Sequence, residues 1–189
     1  MKPLLEILTF AWGALLAVAL GAGSAAGDDK KGTVVDLDGL KSTAPAEWKD
    51  EAPANNMRFL QFKLPKVNGD KQDAELIIFK GFGGTAKANI QRWKEQFIPP
   101  AGKRIEDVSE VKEMKAGDAD LTYLDVRGTY LFKARPIDPA DKAERRPDYR
   151  MLAVHFEGKM NIYHIKLVGP AKTVEHYKKG FDDWLKAFK

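Results

Sequence analysis

Between residues 57 and 64, Arg58, Leu60, Phe62 and Leu64 alternate with Met57, Phe59, Gln61 and Lys63, and Pro65 closes the run. A period of two is that of a β-strand, whose successive side chains leave opposite faces. Residues 74–79 form a second apolar run beyond the turn-forming Val67-Asn68-Gly69-Asp70, so the two are expected to pair as an antiparallel hairpin. The period then changes. Gly81-Phe82-Gly83-Gly84 breaks the strand, Thr85 is a suitable helix cap, and Ile90, Trp93 and Phe97 recur at helical spacing until Pro99-Pro100. Residues 106–114 and 121–132 read as another strand pair, turned at Ala116-Gly117-Asp118. Residues 149–156 and 161–168 flank Gly158-Lys159, which suits a two-residue type II′ turn. Beyond Pro170, Val174, Tyr177, Phe181, Trp184 and Phe188 recur at spacings of three and four, the mark of an amphipathic helix. Before residue 57 only Thr33-Val34-Val35 has β character, ahead of a loop carrying Ala44-Pro45-Ala46-Glu47-Trp48. The elements add up to an α+β fold, an antiparallel sheet of about six or seven strands with two packing helices.

The first residues follow another rule. Lys2 precedes an apolar stretch over residues 7–20, and Gly21-Ala22-Gly23-Ser24-Ala25-Ala26 is uniformly small, with Ser24 and Ala26 suited to the −3 and −1 pockets of signal peptidase. Residues 1–26 are therefore expected to be a signal peptide, 27–32 a flexible tail and 33–189 a single α+β domain, exported to the periplasm or the extracellular space. Were the leader not cleaved, that segment alone would touch the membrane. The sequence of 189 residues holds no cysteine, which removes disulfides, thiol catalysis and cysteine-ligated metals together. Its 31 Lys and Arg against 27 Asp and Glu, a formal charge of +4, are interleaved along the chain, so no basic stripe argues for nucleic acid.

Candidate chemistry is sparse. With Gly158-Lys159 as the turn, His155 faces Ile162 and His164 faces Ala153. The two imidazoles then share one sheet face as diagonal neighbours about 7–8 Å apart at Cα, with Glu157 beside them. Two imidazoles and a carboxylate are a donor set for a divalent cation, and the same trio suits a half-covered sheet face. Gly81-Phe82-Gly83-Gly84-Thr85 lacks the Gly-Lys-Ser/Thr ending of a phosphate loop and reads as a turn plus cap. No Gly-x-Ser-x-Gly is present, and the pairs Asp118/Asp120 and Asp182/Asp183 read as solvated carboxylates. Residues 134–148 hold Pro136, Pro139 and Pro147 and form the one long connection. Arg135, Arg145, Arg146 and Arg150, set among acids and stiffened by proline, are the candidate partner-binding residues.

The Pro45-Ala46-Glu47-Trp48 segment, Gly128-Thr129-Tyr130, the run from Ile162 to Val168 and the closing Phe181-Asp182-Asp183-Trp184-Leu185-Lys186-Ala187-Phe188 together resemble the Mog1/PsbP-like fold. Asn56 to Pro65 also resembles a run found in uncharacterised exported bacterial proteins. The resemblance implies an α/β/α sandwich and an accessory or adaptor role. With no catalytic set in view, the expected function is that of an exported, non-enzymatic binding domain without a cofactor, contacting a protein or envelope component. The alternative is a metal- or small-ligand-binding module built on the His155/His164 face.

Overall fold

Asp38 and Gly39, with φ of 56° and 91°, form the two-residue turn of a hairpin between β1 (Val34–Leu37) and β2 (Leu40–Thr43). Asp-Gly favours this turn because both central residues lie at positive φ. The structure, a computed structural model, describes residues 32–135, 138 and 140–189. The expected signal peptide, and the expected tail apart from Gly32, lie outside the described residues.

The remaining strands make one eight-stranded antiparallel sheet. Across it run β3 (Lys49–Glu51), β4 (Arg58–Leu64), β5 (Ala74–Lys80), β10 (Ile162–Pro170), β9 (Glu144–Glu157) and β8 (Ala119–Phe132). The far edge of β8 is shared by β7 (Ser109–Ala116) and the two-residue β6 (Phe97–Ile98). The two α-helices among the described residues, α1 (Ala86–Lys94) and α2 (Ala171–Lys186), lie on opposite faces. The result is the α+β architecture expected, with eight strands in the main sheet rather than six or seven.

One face is fully covered. Val174, Phe181, Trp184 and Leu185 of α2 meet Leu76, Ile78, Val154, Phe156, Ile165 and Leu167, and the β1-β2 hairpin adds Val35, Leu37 and Leu40 to the same core. Trp48 is wedged edge-on against Phe62 and Trp184, with ring centroids 6.1 and 5.4 Å away. On the opposite face α1 contributes Ile90 and Trp93, which pack with Leu124, Val126, Met151 and Ala153. A helix of nine residues spans only about 13 Å, so much of that face has no helix above it.

Three sequence expectations need correction. The helix of α1 ends at Lys94, and Phe97 belongs to β6, paired with Tyr130. Residues 105–108 are a 3₁₀ turn, and β7 starts at Ser109. The long connection is also shorter than expected, because β8 runs to Phe132 and β9 already begins at Glu144. A bulge resolves this: Gly128 pairs Tyr149 and Tyr130 pairs Arg146, so Pro147 and Asp148 together oppose Thr129. Asp148 takes the left-handed conformation there (φ 55°), and a Cβ on Gly128 would stand 2.5 Å from the Ile98 carbonyl oxygen. Pro147, which reads as a loop residue, sits where the ladder is interrupted and no donor is needed.

Candidate functional site

Strand alternation sends Glu75, Ile77 and Phe79 of β5, Lys166 and Val168 of β10, and Arg58 and Lys63 of β4 to the face that α1 only partly covers. Tyr130 and Phe132 at the end of β8, with Arg146 opposite Tyr130, close the far wall, and Arg92 and Gln96 come from α1 and just after it. Together they line a cleft of about 820 Å³, within the range of small-molecule sites.

Its electrostatics are one-sided. Eight lining residues are Lys or Arg, against two acids, Asp73 and Glu75. Some of the cations are matched: Arg58 lies 3.6 Å from Glu75, Lys63 is 2.7 Å from Glu51, and Arg146 makes two hydrogen bonds to Glu144. Others are not. Lys166 donates to Gln96 Oε1 at 2.9 Å and Arg92 donates to Asn89 Oδ1 at 2.5 Å, both neutral acceptors. Burial, and next the Arg92 charge, push the Lys166 amine down to about 7. The floor between these cations is apolar: Ile77, Phe79 and Val168, with aromatic walls at Tyr130 and Phe132. The Arg146 guanidinium carbon sits over Phe132, 3.6 Å from the ring centre. Tyr130 stacks on Tyr149, whose hydroxyl donates to Gln72 on the rim. A concave surface with an apolar floor and unmatched cations is built to hold an organic anion.

The four candidate partner residues do not form one surface. Arg135 is exposed in the β8-β9 connection, 2.9 Å from Asp138, and Arg145 is exposed on β9. Arg146 faces the cleft. Arg150 is withdrawn to the α2 side, 2 % exposed, where it forks onto Asp125 with Nε 2.7 Å from Oδ1 and also meets Glu175. Its charge is consumed inside the domain. Arg145, Arg146 and Arg150 are strand residues, not loop residues.

The histidines are brought together, by a register other than the expected one. Glu157 pairs Ile162, so the connection has four residues and His155 stands directly opposite His164. His155 Nδ1 is 3.2 Å from His164 Nε2, and His155 Nε2 is 3.2 Å from Glu157 Oε1. A carboxylate only accepts, so Nε2 of His155 carries the proton, and in the neutral pair His164 Nε2–H donates to His155 Nδ1. The three groups lie in a line with Glu157 on the far side of the His155 ring, so their donor atoms do not converge on one point. Among the described residues no group of three or more His, Cys, Asp or Glu is placed to hold a metal ion. Trp93 meets the His164 ring edge-on at 5.3 Å, and burial, then the charges of His155, Arg92 and Lys166, depress the His164 imidazole to about 4. The cleft itself was not read from the sequence, because its cations come from separate strands, connections and α1 and no local spacing links them.

No family model matches the chain, and no curated protein matches it. Among solved structures it is similar to a Pseudomonas aeruginosa protein of unknown function, PA94, described as a putative regulator. Identity to that protein is 14%, over 82% of this chain and 93% of that one, with a TM-score of 0.45. It is also similar to the cyanobacterial PsbP (CyanoP) of Synechocystis sp. PCC 6803, at 14% identity over 90% of this chain and 98% of that one, with a TM-score of 0.43. The likeness is one of fold alone and carries nothing about ligand or partner.

Proposed function

We propose that this chain is an exported, non-enzymatic binding domain that holds an organic anion with an apolar body, such as an envelope component of that chemistry, in the cleft over β4, β5 and β10. The observation that supports this most is the gathering of eight cationic residues around a strip of sheet left uncovered by α1. Unmatched cations over an apolar floor favour a ligand that brings both a negative charge and carbon surface, because each part alone leaves the other desolvated without return. Export is supported by the leader pattern of residues 1–26.

The test compares two dyes on the mature chain: anionic 8-anilinonaphthalene-1-sulfonate and its uncharged relative N-phenyl-1-naphthylamine. The sulfonate is expected to bind more tightly by about tenfold or more, a difference of roughly 1.4 kcal/mol. It should weaken with added salt, and should lose that advantage in an Arg92→Met, Lys166→Met double variant. Equal binding of both dyes, unmoved by salt or by the double variant, would overturn the reading.

A further inference from the structure

Lys166 differs from the other cations of the cleft in what surrounds its amine. Its neighbours across the ladder are Ile77 on β5 and Ala153 on β9, both buried and apolar. Its Nζ donates to an amide oxygen, that of Gln96. The charged and titratable groups nearby are Arg92 from α1, His164 on its own strand, His155 from β9, Tyr130 from β8 and Glu75 from β5, the last engaged by Arg58. An ammonium with apolar flanks, a neutral acceptor and a guanidinium beside it sheds its proton more readily than a surface lysine, and the amine so freed is a nucleophile. Lys166 is half-buried and lines the cleft.

We propose that Lys166 captures carbonyl compounds covalently, forming an imine with an aldehyde or ketone that carries an anionic group. The inference rests on the anion-binding reading of the cleft for its choice of ligand, and on the amine's own surroundings for its chemistry. In the step, the Nζ lone pair attacks the carbonyl carbon while the carbonyl oxygen takes up a proton. The carbinolamine then loses water, the nitrogen having given up its protons. The product is a C=N bond to Lys166, and the balance is amine plus carbonyl giving imine plus water, with no oxidant or reductant. The neighbouring cations, Arg92 foremost, hold the anionic group. The imine is reversible, so this is capture rather than turnover.

Two reagents test the two halves separately on the mature chain. Pyridoxal 5′-phosphate, an anionic aldehyde, is added at limiting concentration and pH 7 and fixed with borohydride. Peptide mapping is expected to find Lys166 labelled about tenfold above the mean of the exposed lysines, with that label absent in Lys166→Met and reduced in Arg92→Met. Formaldehyde with cyanoborohydride, which carries no charge to the site, reads nucleophilicity alone. Methylation of Lys166 is expected to rise with a midpoint near pH 7, while surface lysines rise near the usual pH of about 10. If the phosphate reagent labels lysines in order of exposure while formaldehyde still favours Lys166, the anion-directed half falls, and the proposed function with it. If Lys166 is methylated only with the surface lysines while 8-anilinonaphthalene-1-sulfonate still binds, covalent capture falls and the cleft reading stands.

Discussion

Asp38 sits at a turn and holds another turn in place. Its carboxylate accepts from the backbone N–H groups of Met160 and Asn161, from the Asn161 side chain and from the Tyr163 hydroxyl, at 2.7–2.9 Å. Burial works against its charge, but these donors outweigh it and bring its pKa down to about 2. Asp38→Asn keeps the left-handed turn yet replaces one accepting oxygen with a donor, and is expected to cost about 1–3 kcal/mol by urea unfolding. Because the folded pKa is depressed, the Asp38 contribution is full above the carboxylate's ordinary value near 4 and is lost as pH falls through about 2. His164 gives an earlier window. Its unfolded imidazole protonates near pH 6.5 and its folded one near 4, so the unfolded chain holds the extra proton in between. Stability is complete above pH 6.5 and drains as pH falls toward 4, by up to about 3 kcal/mol. Urea midpoints at pH 7.5 and 4.5 are expected to show this loss in the native chain and a smaller one in His164→Gln; equal losses would place the acid sensitivity elsewhere.

At the scale of elements, α1 is the thinner of the two covers. Thr85 caps it by accepting from Ala88 N–H at 3.2 Å, and it buries Ile90 and Trp93 against the sheet. Trp93→Ala removes an indole that is 2 % exposed, closes onto little that can refill the space, and opens the side of His164. The expected cost is about 3–5 kcal/mol in chemical unfolding. Most of this element list was legible in the sequence because alternation and the three-four stripe are local signals: β4, β5, both strands of the last hairpin and α2 could be read residue by residue. What was missed depends on partners. The β1-β2 hairpin is short, though its Asp38-Gly39 turn was there to be read. The start of β9 was hidden by Pro147, a residue that argues for a loop unless the bulge at Asp148 is known. The register of the last hairpin was off by two positions. Gly158-Lys159 is a good turn locally, but Asp38 from a distant hairpin ties Met160 and Asn161 into a four-residue loop.

At the scale of the molecule, interleaved charge in sequence became segregated charge in space. The eight cations around the cleft come from β4 and the turn after it, from α1, from the end of β8, and singly from β9 and β10, so it is the tertiary fold of a chain nearly balanced overall that brings them together. The sequence reading found the arginines but assigned them to a loop, and Arg150 proved to be a buried tie between β8 and α2. The compartment proposed above gives a direct check: intact-mass measurement of protein recovered from the cell envelope is expected to find a chain beginning at Gly27, and a chain retaining residues 1–26 would count against cleavage there.

The bulge at Asp148 also gives the cleft a redundancy. Strand residues before it are displaced by one position relative to a regular ladder, which is why Arg146 rather than its neighbour stands opposite Tyr130. With the bulge closed, Pro147 would take that place and Arg145 would face the cleft opposite Phe132. The Arg145-Arg146 doublet therefore supplies a guanidinium to the same wall in either register, so a one-residue slip at this point, by mutation or by fluctuation, moves the charge from opposite Tyr130 to opposite Phe132 instead of removing it.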